Sequence, residues 1–161
     1  MKTLKLFFAS IIFNISNYIL PQTENQLPRN NYYFEILGNA GFWSFNYERI
    51  IKNSSIIKLG LDYVPRMENS FISSPSFLSI PIDYCYLFSL NGNVKIELGT
   101  GLTFYFGENN FGDKDRILVN GILGYRYQPI ESGTIFRITF TPVIESGEFR
   151  PWFGISFGHN F

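Results

Sequence analysis

The sequence predicts an all-β chain, an eight-stranded antiparallel up-and-down transmembrane β-barrel, on three observations. Charged residues make up 16% of the 161 positions and aromatic residues 19%, against roughly 25% charged in an ordinary soluble domain. Such a chain has too little charge to coat a water-facing exterior. From Asn31 onward there is no sustained helical period, and eight stretches alternate apolar residues with polar or small ones, the period-2 signature of strands. The links between these stretches alternate between short and long, as they do in barrels that cross a membrane.

Residues 1–22 read as a cleaved export signal. Lys2 and Lys5 give a basic start, and positions 6–15 are apolar apart from Ser10 and Asn14. That stretch is too short to cross the ~30 Å hydrocarbon core of a bilayer as a helix. Residues 23–30 form a short segment before the barrel of residues 31–161. Its strands are expected at 32–37, 42–51, 56–64, 77–88, 94–106, 116–128, 134–141 and 151–161. Most reach the ~9–11 residues that a tilted membrane strand needs. The links 52–55, 90–93 (with the tight-turn pair Asn91-Gly92) and 129–133 are short. Links 65–76, 107–115 and 142–150 are longer and polar, and 38–41 is the one short link in that second group. An even strand count places both termini on the short-turn side, the periplasm in such proteins.

Parity sorts the residues onto two faces. One face of the fifth strand reads Val94, Ile96, Leu98, Leu102, Phe104, Phe106, and the other Lys95, Glu97, Gly99, Gly101, Thr103, Tyr105. Nine charged residues lie well inside strands: Glu35, Glu48, Lys58, Asp62, Asp83, Lys95, Glu97, Arg126 and Arg137. All nine share the polar parity. In a soluble lipocalin-like barrel that face would meet water. It is too sparse for that role, being mostly Gly, Ser, Thr and Asn with about one charge per strand. The apolar face also carries rings near both ends, where lipid-facing strands place them: Tyr32, Tyr47, Tyr86, Phe88, Tyr125, Tyr127, Phe157 and Phe161 at one, Trp43, Tyr63, Phe77, Phe104, Phe106 and Phe140 at the other. The expectation is therefore apolar outside and polar inside.

Eight strands enclose an interior just wide enough for side chains to fill it. Five acids and four bases in that space call for pairing. Hairpin register sets Glu48 opposite Lys58, Glu97 beside Arg126, and Arg126 near Arg137, with Glu35 or Glu48 across the lumen helping to neutralise the two arginines. Inward Gly99, Gly101, Gly124, Gly154 and Gly158 leave room for long side chains. Leu118, Ile122 and Ile135 also point inward, against a water-filled channel. The expected role of the nine is a structural polar core.

Several chemistries are excluded. Cys85 is the sole cysteine, so the chain forms no internal disulfide and no C-x-x-C metal knuckle; without a basic neighbour in sequence it reads as inert filler. His159 is the sole histidine and lies at the turn-side rim, away from the outer rim where Ser–His chemistry would operate. No cofactor or metal motif is present. Net charge is zero with 13 basic and 13 acidic residues, and no basic stripe supports nucleic-acid binding. Glu145 and Glu148 read as solvated loop charges.

The carboxyl-terminal run of Phe153, Ile155, Phe157 and Phe161 resembles the targeting strand read by the outer-membrane barrel assembly machinery, with His159 standing where that pattern usually has an aromatic or apolar residue. The architecture is similar to the eight-stranded OmpA-transmembrane and OmpX class. Asn46-Tyr47-Glu48-Arg49, Gly124-Tyr125-Arg126-Tyr127-Gln128-Pro129, Phe136-Arg137 with Phe140-Thr141-Pro142, and Pro151-Trp152-Phe153-Gly154 resemble phrases of a group of small outer-membrane barrel proteins without known catalytic residues. The resemblance implies an outer-membrane location, surrounding outer-membrane lipid and the assembly machinery as partners. The leading expectation is a non-enzymatic barrel with structural or surface-interaction roles carried by loops 65–76 and 107–115. A narrow transport barrel with a cavity near Asp62 and Tyr105 is the second reading, and a rim enzyme the third.

Overall fold

The computed structural model describes residues 29–52, 54–64, 67–69, 72–74, 76–107, 115–145 and 147–161. The export-signal reading, most of loop 107–115 and part of loop 65–76 lie outside these residues. Among the described residues there are twelve strands: β1 (Asn30–Leu37), β2 (Trp43–Lys52), β3 (Ser55–Val64), β4 (Met67–Asn69), β5 (Ile72–Ser74), β6 (Phe77–Asn91), β7 (Val94–Gly107), β8 (Asp115–Tyr127), β9 (Gly133–Phe140), β10 (Val143–Glu145), β11 (Glu148–Arg150) and β12 (Phe153–Asn160). The eight long strands pair antiparallel in chain order, and β12 returns to pair with β1. The sheet therefore closes on itself as an eight-stranded up-and-down barrel. Closure leaves no edge along the wall.

Aromatic residues face one another across several ladders. Phe34 pairs with Phe45, Phe136 with Phe157 and Phe140 with Phe153, with ring centroids 5.2, 5.1 and 5.0 Å apart. Such cross-strand pairs help hold the register.

Three local features depart from plain strands and loops. The expected loop 142–150 is largely a hairpin: β10 pairs β11 and also continues along β8, where Gly121 N–H donates to the Pro142 carbonyl at 2.8 Å. Residues 65–76 likewise contain the small β4–β5 hairpin. The third feature is in the wall itself. The β3–β6 ladder runs from Ser55↔Tyr86 to Leu59↔Ile82 and resumes at Asp62↔Ser79, lapsing where Gly60 and Leu61 meet Ile80 and Pro81. Pro81 remains in register with Thr103 on its other side. Proline has no N–H to give to a ladder, which accounts for the lapse on the β3 side.

The alternation of burial along each strand fixes inside and outside. In β2, Ser44, Asn46 and Glu48 are buried while Phe45 and Tyr47 are exposed. In β3, Ile56, Lys58 and Asp62 are buried while Ile57, Leu59, Leu61 and Tyr63 are exposed. The interior is polar and the exterior apolar. A small apolar cluster of Ile50, Ile56, Cys85, Leu87 and Ile122 fills part of the lumen.

Glycine makes this interior fit. A Cβ on Gly60 would lie 2.6 Å from Pro81 Cγ and closer still to the Asn46 side-chain oxygen, and one on Gly101 would collide with the Asp83 carboxylate. Replacing Gly60 with Ala is expected to destabilise the barrel by about 1–3 kcal/mol through overpacking. Gly92→Asn, at a turn glycine with φ of 39° and nothing near its Cβ position, should stay within about 0.5 kcal/mol of the parent. Equilibrium denaturant unfolding of the two variants checks the contrast; equal effects would remove the steric account.

Candidate functional site

The interior polar residues form two tiers. The tier toward the short turns and chain ends is built from β2, β3, β7, β8 and β9. Glu48, Lys58, Glu97, Arg126 and Arg137 are all buried there. Lys58 Nζ donates to Glu97, and Arg126 Nη2 to Glu48. Arg126 Nη1 reaches both carboxylates, at 3.0 Å to Glu48 Oε2 and 3.3 Å to Glu97 Oε2. Arg137 Nη2 lies 3.1 Å from Glu97 Oε1, and its Nη1 3.9 Å from Glu48 Oε2. Each carboxylate thus bridges the two guanidinium groups that ladder register sets side by side, since Arg126 and Arg137 are direct partners on β8 and β9. The Arg137 guanidinium also lies 4.4 Å from the centre of the Tyr33 ring, a cation–π contact in a desolvated setting. Asn31 donates to Glu48, and Gln128 to Asn31.

Lys58 shows how hairpin register and side-chain contact differ. It is the direct ladder partner of both Glu48 and Asp83, yet its ammonium crosses the lumen to Glu97 on β7. Lys95 closes the turn-side end. Its Nζ donates to the Gly92 and Gln128 carbonyls at 3.1 and 3.4 Å, with no carboxylate partner among the described residues.

The tier toward the longer loops holds three acids and, among the nine interior charges, no base. Glu35 accepts from the Ser156 and Thr139 hydroxyls at 3.1 and 3.4 Å. Asp83 accepts from Asn39 Nδ2, at 2.9 and 2.8 Å to its two oxygens, and from Asn120 Nδ2 at 3.0 Å. Asp62 is buried with both carboxylate oxygens lacking a hydrogen-bond partner. The expectation of ion pairing throughout therefore needs correction. Glu35, Asp62, Asp83 and Lys95 enter no ion pair among the described residues, because neutral amides, hydroxyls and carbonyls reach three of them first.

The feature that sequence reading missed is the link at 38–41. It turns into the mouth of the barrel. Leu37, Gly38 and Gly41 have φ of 62°, 87° and 120°, a backbone that glycine adopts readily and leucine rarely. Asn39 and Ala40 are buried. Ser79 Oγ donates to the Ala40 carbonyl at 2.7 Å, the Tyr105 hydroxyl to the Asn39 carbonyl at 3.0 Å, and the Asn39 amide to Asp83. The turn is thus latched to β6 and β7. Where a transport reading puts a cavity beside Tyr105, this turn makes the contact. Two glycines around an Asn in the single short link of its group were the available signal.

Cys85 is free and buried within the apolar cluster. Its neighbours there are Ile50, Ile56, Leu87 and Ile122, an apolar setting for the thiol. His159 lies on β12, its ring centre 5.9 Å from that of Tyr32. Phe153, Ile155 and Phe157 face outward along β12, and Phe161 is exposed just beyond its end. An apolar groove of about 690 Å³ lies on the wall, bordered by Tyr32, Phe34, Phe45, Leu61 and Phe157. Among the described residues no group of three or more His, Cys, Asp or Glu could hold a metal ion.

Fold and interior together define a class: a closed, eight-stranded antiparallel barrel with an apolar exterior and a charged, packed lumen. No protein-family model matches the chain, and no curated protein matches it. Among solved structures it is similar to the crystal structure of the N-terminal β-barrel domain of Pseudomonas aeruginosa OprF, with a TM-score of 0.59 and 13% identity, covering 83% of this chain and 96% of that one. At that identity the likeness is one of fold.

Glu97 makes contacts to Lys58, Arg126 and Arg137, so Glu97→Gln takes the ion-pair partner from Lys58 and leaves both arginines with Glu48 alone. The expected loss of stability is about 3–5 kcal/mol. Glu131→Gln, on an exposed turn, should change stability by less than about 0.5 kcal/mol. Denaturant midpoints measured side by side decide whether the lumen pairs act as a unit.

Proposed function

We propose that the chain is an outer-membrane β-barrel whose role is structural or interactive, carried by its loops rather than by chemistry in its lumen. The observation that carries this reading is the inverted packing. Phe45, Leu61, Ile117 and Phe153 are each 53–63% exposed, while all nine charges that lie well inside strands are buried. In water such an exterior would be an association hazard. In a bilayer it is the required surface, and closing strands into a barrel pairs the wall's backbone except at the β3–β6 lapse beside Pro81. The barrel likeness supports the same reading.

The lumen argues against open conduction. Its turn-side tier is spanned by ion-paired side chains from five strands, and its other mouth receives the 38–41 turn. A catalytic role has no support in the lumen: Glu35, Glu48, Asp83 and Glu97 are occupied by ion pairs, amides and hydroxyls, and the sole histidine, His159, lies at the opposite, turn-side end from Asp62 and Ser79. Lipid surrounds the wall, and the β12 run ending in Phe161 presents the pattern that the barrel assembly machinery reads. The hairpin of β10 and β11, with Ile144 and Phe149 exposed, joins loops 65–76 and 107–115 as contact surface.

The full-length chain, expressed in a Gram-negative host, is expected in the outer-membrane fraction. It should migrate differently on SDS gels with and without boiling. Recovery from the soluble periplasm without a heat shift overturns the membrane assignment. In planar bilayers the purified barrel is expected to add no steady conductance. A reproducible unitary current lost in an Asp62 or Asp83 variant would move the reading to transport.

A further inference from the structure

Asp62 stands apart from the other interior charges. The charges well inside strands are five acids and four bases, all buried. Lys58, Arg126 and Arg137 are committed to Glu48 and Glu97, and Lys95 to backbone carbonyls. Glu35 and Asp83 each accept hydrogen bonds from neutral donors. Asp62 alone of the nine has no counter-ion and no oriented hydrogen bond on either oxygen among the described residues, the neighbouring Ser79 hydroxyl being turned to the Ala40 carbonyl. A carboxylate buried without either is costly, and such groups are ordinarily paired or bound to a cation.

The surroundings supply the other ligands that a hard cation takes. Ser79 is the direct ladder partner of Asp62 on β6, so the two side chains lie next to each other on the interior face. The Ser79 hydroxyl is 2.7 Å from the Ala40 carbonyl. The next residue, Gly41, has φ of 120°, and a Cβ placed there would lie 3.6 Å from Asp62 Oδ2. A carboxylate, a hydroxyl and a backbone carbonyl are therefore neighbours here, with Gly41 and the Phe77 ring bordering them. Those are the oxygen donors that calcium and similar cations use, with water completing the shell. No nitrogen or sulfur ligand is present to favour a softer metal.

We propose that Asp62, with the Ser79 hydroxyl and the Ala40 carbonyl, forms a site for one hard cation at the loop-side mouth of the barrel. The site joins β3, β6 and the inward turn at 38–41. Its occupancy offsets the charge of Asp62 and fastens the turn that fills the mouth. It is internal to the barrel and does not depend on what surrounds the wall.

The test uses the full chain, folded and stripped of divalent ions by chelator, then titrated calorimetrically with calcium chloride. The parent is expected to bind one calcium ion per chain in a saturable manner. Glu131→Gln should bind as the parent does, and Asp62→Asn, which keeps the shape and removes the charge, should lose saturable binding. Ser79→Ala keeps the carboxylate and should bind more weakly, so the site stays testable if Asp62→Asn does not fold. Circular dichroism and heat-shifted gel mobility confirm that each variant compared is folded. Protection of the 38–41 amides from hydrogen exchange should rise with calcium in the parent. Absence of saturable binding in the parent overturns the proposal, since the carboxylate is then neutralised by a proton. Binding undiminished in folded Asp62→Asn overturns it as well, because the ion then lies elsewhere.

Discussion

Everything in this protein follows from closing eight strands into a ring. Closure pairs the wall's backbone and fixes the bore at a width that side chains alone can fill. The contents of that bore are then a packing problem with a charge constraint. Arg126, Arg137 and Lys58 are long, and they coexist only because Glu48 and Glu97 lie between them. Small residues yield space elsewhere in the ring: Gly101 beneath the Asp83 carboxylate, and Gly154 within 2.9 Å of Glu35 Oε1 at its Cβ position. The charged lumen and the inward glycines are one feature seen from two sides.

The arrangement inverts the usual source of stability. A soluble domain gains from burying apolar side chains, whereas here most large apolar side chains are outside. The interior is instead held by a polar network, in which each removed partner leaves the others desolvated and unmatched. Such a core specifies one arrangement sharply. It also separates buried charge along the barrel axis, with the fully buried cations gathered toward the short turns and the unpaired acids toward the longer loops, where Arg116 lies over the Tyr105 ring. The 38–41 turn meets those acids with an amide, Asn39, in place of a cation.

The period-2 pattern made the eight strands legible in the sequence, and the nine strand charges on one parity made the polar face legible. Strand ends shifted by a few residues, as when β6 runs on to Asn91 and the tight turn falls at Gly92 and Asn93. What stayed hidden has a common physical origin. Hairpin register relates neighbours on the wall, so it places Glu48 opposite Lys58. It says nothing of contacts across the bore, where the Lys58 ammonium reaches Glu97. The inward turn was hidden for the same reason, since its partners Ser79, Asp83 and Tyr105 are some forty or more residues away in sequence. The β10–β11 hairpin was masked by Pro142, which reads as a stop although its carbonyl still serves the β8 ladder.

The ring is closed by the two ends of the described chain. Asn31 pairs with Asn160, and Asn30 and Phe161 exchange backbone hydrogen bonds at 3.2 and 2.9 Å. The contact that completes the cylinder is thus the one of greatest sequence separation, and its loop-closure entropy is the largest in the fold. Until it forms, the other seven ladders make an open sheet with β1 and β12 as bare, adhesive borders. The cylinder cannot close without β12, and a chain lacking that strand leaves β1 and β9 as unpaired edges.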